Sequence, residues 1–209
     1  RGADGLRVEA PRWKLGLLAT GCADVVLDAV TVGAADVLSD DDAALGRAWL
    51  SVAVQNAAMH LGVARASHAY ALQYTQERIA FGKPVAHFQA VAFMLADAAM
   101  LVDAARWSIW RGAWALDGGR DDAPRAVGEA LVNAYEIATR LVDDGVQLLG
   151  GAGYVFDHPV EKWMRDQKTL SLSGVTPEAA EDLLTSCLLG ESWTAGDLVA
   201  GVDAQAGLL

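Results

Sequence analysis

The spacing of hydrophobic and polar positions changes near residue 40. Over residues 6 to 38 the segments LRVEA and ADVVLDAVTV set β-branched residues in near alternation, separated by the turn-prone GLLATGC. That pattern predicts two or three strands. SDDD at 39 to 42 then offers an N-cap with acids in the first turn, and the spacing beyond it is helical. A first helix is expected from about Asp42 to Glu77, a rod of roughly 50 Å at 1.5 Å per residue, which only a bundle can partner along its length. FGKPV at 81 to 85 ends it through Gly82 and Pro84. A second helix, about Phe88 to Leu116, carries Phe88, Val91, Leu95, Ala98, Val102 and Ala105 on one face. DGGRDDAP at 117 to 124 is a turn that starts a third helix, about Pro124 to Leu149, which stops at GGAGY. Two shorter helices, about 159 to 170 and 177 to 189, complete the pattern. The expected chain is mainly α: strands at 1–38, a helical bundle at 39–190, and a loosely held polar tail at 191–209.

Small residues recur in the long helices, as in GVARASHAYA and ADAAMLVDAA, and let helices approach closely. Trp107, Trp110 and Trp114 share a face, which reads as packing or a subunit contact rather than a cofactor box. At 209 residues with 53% hydrophobic content the chain can bury a sizeable core. Its 27 acidic against 16 basic residues, a formal charge of −11, argue against a nucleic-acid surface, which needs clustered Lys and Arg. Apolar stretches are too short to span a bilayer and nothing at the start resembles a signal peptide, so no membrane partner and a cytoplasmic location are expected. The chain opens on RGADGLRVEA without methionine, which suggests a start within a fold. Cys22 and Cys187 are distant from each other and from His at ligand spacing, and His60, His68, His87 and His158 form no convincing metal or triad pattern. No metal site is expected.

Four segments carry candidate chemistry: ERIAFGKPVAHFQ at 77 to 89, VQLLGGAGY at 146 to 154, HPVEKWMRDQK at 158 to 168 and SGVTPE at 173 to 178. Each alone has a plain explanation. Arg78 can close a helix C-terminus, QLLGGAG can be a glycine cap, and RDQK can be a surface charge cluster of little energetic weight. In this order, with Tyr74, Arg78, Phe81, Gly82, Gln89, Gln147, Gly150, Gly151, Gly153, Tyr154, Pro159, Val160, Glu161, Lys162, Arg165, Asp166 and Lys168 in place, they resemble the C-terminal helical domain of the acyl-CoA dehydrogenase family. Residues 12 to 38 look like the end of that family's middle β-domain. The resemblance implies a C-terminal four-helix bundle of that family's type. It also implies FAD as cofactor, an acyl-CoA thioester as substrate, and a homologous subunit as partner in a homo- or hetero-oligomer, dimer or tetramer. Members oxidise the thioester to the enoyl-CoA: a glutamate removes the α-proton and the β-hydrogen leaves as hydride to the flavin. An α-proton is a poor acid, so a positioned carboxylate and a polarised carbonyl are both required. Carried over, Arg78, Phe81, Gln89, Gln147, Gly150, Gly151 and Thr176 are the expected cofactor residues. Most of them would reach a neighbouring subunit's FAD, where guanidinium suits pyrophosphate and glycine permits close approach.

The chain departs from the family at the catalytic base. In register with Arg165, Asp166 and Thr176, the family's glutamate position falls on Gly174; the alternative position on the first long helix, counted back from Arg78 and Phe81, falls on Val52. The arginine that often follows the helix position is Ala53 here. Glu178 and Glu181 follow Gly174 but belong to the next helix, and Glu178 is the weak substitute. The family's opening helical domain and the first half of its β-domain, which contact acyl-CoA and the flavin ring, are not among these residues. A base is worth about 10²- to 10⁴-fold in rate. The expectation is therefore a subunit that contributes to a partner's FAD site and lacks its own base. The alternatives are a self-sufficient dehydrogenase with a relocated base and a purely structural subunit.

Overall fold

The computed structural model of the chain describes residues 3–199. Two short strands, β1 (Leu6–Val8) and β2 (Val25–Leu27), pair antiparallel with Leu6 opposite Leu27. Six helices follow among the described residues: α1 (Asp42–Glu77), α2 (Gln89–Asp117), α3 (Ala123–Leu149), the single turn α4 (Gly151–Tyr154), α5 (Val160–Leu170) and α6 (Pro177–Leu189). Between α1 and α2 lies a hairpin of two-residue strands, β3 (Ile79–Ala80) and β4 (Lys83–Pro84).

Local sequence explains where the helices begin and end. Asp41 caps α1 by accepting from the Ala43 N–H. Pro124 and Pro177 sit in the first turns of α3 and α6, where a missing N–H costs nothing. Thr176 caps α6, its Oγ1 accepting from the Ala179 N–H at 3.3 Å, a bond worth about 1 kcal/mol.

α3 is the axis of the bundle and packs against α1, α2, α5 and α6. Its Ala126, Val127, Ala130, Leu131, Ala134, Ala138, Leu141 and Val142 are buried, so it is covered on more than one side. α1 lays Leu50, Ala53, Ala57, Ala64 and Ala71 against the core. Steps of three, four and seven residues keep that line on one face, and the small side chains bring the backbones close.

The N-terminal segment forms two strands, within the two or three the sequence suggests. Val8, Val25 and Leu27 in them are exposed. A two-stranded ribbon without a face to lie on is marginal by itself. Its connecting loop is tied down instead by α5. The Gly16 N–H donates to Thr169 Oγ1 (2.8 Å), the Leu17 N–H to Asp166 Oδ1 (2.6 Å), and Arg165 to the Leu15 carbonyl (3.0 Å). In the tail, Ala195 and Leu198 are buried and Trp193 covers Gly46, so these three side chains anchor residues 191–199, whose other residues are exposed. The remainder of the expected tail lies outside the described residues.

Candidate functional site

Two places in the bundle collect the residues singled out from the sequence. The first lies where α1 ends, α2 begins and α3 stops. Arg78 is the C-cap of α1, its N–H bonded to the Tyr74 carbonyl and its own carbonyl accepting from the Val85 N–H. The hairpin that follows turns on Phe81 and Gly82, whose φ values of 51° and 81° are both positive, as a two-residue hairpin turn requires. Glycine takes this conformation freely, whereas Phe81 is held in it as a residue 95% exposed. A non-glycine residue there is uncommon, and such strain tends to cluster at functional positions. The hairpin is braced from within: Phe88 meets Phe81 edge to face at 6.2 Å and Lys83 lies 4.3 Å above the Phe88 ring.

Arg78, Gln147, Gly150 and Gly151 line one open cleft of about 610 Å³, with Tyr74, Val91 and Met94 as part of its apolar wall. Gln89, the first residue of α2, is exposed next to Ala90, which also lines the cleft. Arg78 makes no ion pair among the described residues. A Cβ built at Gly150 or Gly151 would meet nothing within 4 Å, so the backbone here is open to a ligand. An unpaired guanidinium facing bare peptide groups, beside an apolar wall, fits a pyrophosphate joined to a flat ring system. Phe81 does not line the cleft; it projects from the hairpin beyond it. Thr176 is elsewhere, as the cap of α6.

The second place is the loop after α5. Gly174 has φ +67°, and a Cβ there would lie 2.7 Å from Asn56 Nδ2, 3.1 Å from Asn56 Oδ1 and 3.1 Å from Val52 Cγ1. The two positions where the family resemblance expects a base, reached from different anchors, are thus neighbours in space. Neither carries a carboxylate. Asn56, a turn beyond Val52 and buried, donates to the carbonyls of Ser173 (2.6 Å) and Val175 (3.1 Å), gripping the chain on both sides of Gly174. A further turn along α1, buried His60 bonds through Nδ1 to Gln167 Oε1 at 2.9 Å. Burial holds its pKa below the ordinary histidine value against the opposing pull of Gln167, so the imidazole is kept neutral. Glu178 and Glu181 are exposed on α6, Glu178 in the first turn where an acid suits the helix dipole.

Asn56 was not singled out from the sequence, and Arg165 and Asp166 were read there as motif residues rather than as a clamp on the N-terminal loop. Asn56 had one available signal: a polar side chain at a core-spaced position, one residue before Ala57 and one turn before His60. Asp166 is only 5% exposed, pairs with Lys162 and accepts from Leu17, while Arg165 pairs with Glu161 at 2.8 Å. RDQK is therefore an architectural joint rather than a solvated charge cluster. No three His, Cys, Asp or Glu side chains converge as a metal site among the described residues, and no helix among them is long and apolar enough to cross a membrane.

Comparison with known proteins agrees with this fold. The family model "Acyl-CoA dehydrogenase, C-terminal domain" matches residues 47–184. A probable acyl-CoA dehydrogenase of Bacillus subtilis is 33% identical over 188 residues, covering 88% of this chain and 49% of the relative. A 3-(aryl)acrylate reductase of Clostridium sporogenes is 30% identical over 189 residues, covering 89% and 50%. Among solved structures, butyryl-CoA dehydrogenase of Megasphaera elsdenii superposes with a TM-score of 0.83 at 29% identity, over 90% of this chain and 50% of that one. The chain spans about half the length of the curated relatives it matches. It belongs to the acyl-CoA dehydrogenase family, and its residues 47–184 are that family's C-terminal helical domain.

Proposed function

We propose that the chain serves an FAD-dependent acyl-CoA dehydrogenase as the subunit that reaches into a homologous partner's cofactor site while lacking a catalytic base of its own. The observation that carries this reading is the contact between Val52 and Gly174. Both family positions for the base meet at one point, and no carboxylate is present at either. Without one, the α-proton of a thioester has no acceptor there, a loss of about 10²- to 10⁴-fold in rate.

The cleft at Arg78 supports the other half of the proposal. Arg78 would hold a pyrophosphate through its guanidinium fork, Gln147 and Gln89 would bond polar edges, and Gly150 and Gly151 would let phosphate or ring approach the backbone. Phe81 would offer a flat face from the hairpin. When bound, FAD supplies the hydride acceptor for α,β-dehydrogenation of the acyl-CoA; these side chains bind and orient it.

The test is co-purification with candidate partner chains followed by a flavin count per subunit. The assembled complex should carry flavin, and Arg78→Ala should lose at least tenfold in flavin affinity with assembly intact. A chain that is yellow alone and bleaches on addition of an acyl-CoA overturns the proposal.

A further inference from the structure

Away from both the Arg78 cleft and the Gly174 loop, a further open cleft of about 540 Å³ runs between α1 and α2, a volume ordinary for a small-molecule site. α1 lines it with Gly62, Ala66 and Ala69, spaced four and three apart on one face, and α2 with Ala99 and Val102. None of these side chains is larger than valine and no Phe, Tyr or Trp joins them, so the walls suit a narrow aliphatic body better than a flat ring.

The same cleft gathers Arg65, His68, Asp103 and Arg106. Asp103 is engaged, paired with Arg106 on its own helix. Arg65 makes no ion pair among the described residues. Arg125, Arg140 and Arg165 each find a carboxylate one turn away, but α1 has no acid between Asp42 and Glu77. The guanidinium fork of Arg65 is therefore available. His68 is a second open group. Its Nδ1 is buried without a hydrogen-bond partner among the described residues, and burial holds its pKa below the ordinary histidine value, so the ring is neutral with one nitrogen protonated. A proton on Nδ1 would leave a buried N–H unmet, which is costly. It belongs on Nε2, the ring nitrogen that stays accessible, and there it gives the cleft another donor.

We infer that this cleft binds an aliphatic monocarboxylate, its two oxygens held by the Arg65 fork and the His68 Nε2–H and its chain laid along Gly62, Ala66, Ala69 and Ala99. The charge count selects the head group. Two arginines, one aspartate and a neutral imidazole leave the lining with a single net positive charge, which one carboxylate matches. A phosphate dianion would bring surplus negative charge beside Asp103, where like charges at close range repel. A planar carboxylate also suits a guanidinium fork bidentately. The inference is independent of the flavin proposal, because this cleft and the Arg78 cleft share no residue.

Nitrogen-15 amide spectra of the 209-residue chain titrated with octanoate test it. Saturable shifts should centre on residues 62–69 and 99–106, with a Kd on the order of 1 mM. Octan-1-ol, the chain without the charge, and acetate, the charge without the chain, should each bind at least tenfold more weakly. Arg65→Met keeps much of the side-chain bulk and removes the fork, and should weaken octanoate at least tenfold; Arg65→Lys, which keeps the charge alone, should fall between. Ala66→Leu fills the groove from the other side of the argument and should weaken octanoate to a similar degree with Arg65 intact. Shifts absent from these two segments or confined to the outer face of α2 overturn the inference. So does octan-1-ol or acetate binding as tightly as octanoate, or an affinity that neither Arg65→Met nor Ala66→Leu changes.

Discussion

Gly174→Ala should destabilise the chain by about 3 kcal/mol, and the size of the loss should depend on Asn56. The backbone at φ +67° is natural for glycine, whereas a side chain there costs roughly 1–2 kcal/mol. The added methyl would also stand 2.7 Å from Asn56 Nδ2, inside van der Waals contact. Asn56 can retreat only by releasing the Ser173 and Val175 carbonyls, and a buried donor left without a partner costs about 1–3 kcal/mol. Asn56→Ala alone gives up the same two bonds, so its cost is on the order of 2 kcal/mol. In the double variant the amide no longer stands in the way of the methyl, Val52 Cγ1 at 3.1 Å remains its close neighbour, and the lost bonds are counted once. The single effects should therefore sum to about 1 kcal/mol or more above the double. Urea unfolding followed by circular dichroism measures all three; for a chain of this length Gly174→Ala should lower Tm by roughly 6–12 °C. A neutral Gly174→Ala, or effects additive within about 0.5 kcal/mol, would refute the reasoning. Gly174→Glu meets the same obstacles, so restoring a carboxylate at this position alone should not restore a working base.

Two further outcomes follow from the clamp and from His60 and His68. Asp166→Ala removes the acceptor of the Leu17 N–H and the partner of Lys162; about 1–3 kcal/mol should be lost, with faster tryptic cleavage at Arg12 and Lys14. Asp166→Asn, which keeps an oxygen for Leu17, should show a smaller effect, and equal cleavage in all three proteins would contradict the clamp. Burial lowers the pKa of both His60 and His68, so between the folded and unfolded values the unfolded chain binds more protons. Their contribution to stability is complete above about pH 6.5 and is lost as pH falls through the lowered folded values. The urea midpoint should be lower at pH 5.5 than at pH 7.5, although Asp144, whose carboxyl burial pushes up, acts in the opposite direction. A midpoint that rises on acidification in an Asp144→Asn background would show the histidines are not held neutral.

Much of the helical framework was legible because its punctuation is local. Asp41 and Asp42, Gly82 with Pro84, Pro124, Gly150 and Pro177 each act within one turn, and they bound α1, α3 and α6 almost where the sequence suggests. The short hairpin at 79–84 and the single turn α4 were not legible, because positive φ at Phe81 overrides the preference of its side chain. A third strand within residues 6 to 38 does not form among the described residues, because alternation cannot supply a pairing partner. The clamp between Asp166 and Leu17 joins residues 149 positions apart; nothing local marks Asp166 as buried. Asn56 and His60 were closer to legible, since polar groups at core spacing require partners, though not which ones.

The adjacency of Val52 and Gly174 would, under the proposed reading, let a carboxylate at either position serve the same chemistry, because both reach one small volume between α1 and the loop after α5. Under the proposed reading, this volume is not an open vacancy. Asn56 fills it and is bonded to the backbone on either side, so the loop is held shut by a buried amide rather than left for a neighbouring acid or a water to occupy. The cleft at Arg78 is the opposite case, with an unpaired guanidinium and bare glycine backbone left open. The two places share no residue. Substitutions that close one do not strain the other, and a chain can lose proton abstraction at Gly174 while every group lining the Arg78 cleft remains as it was.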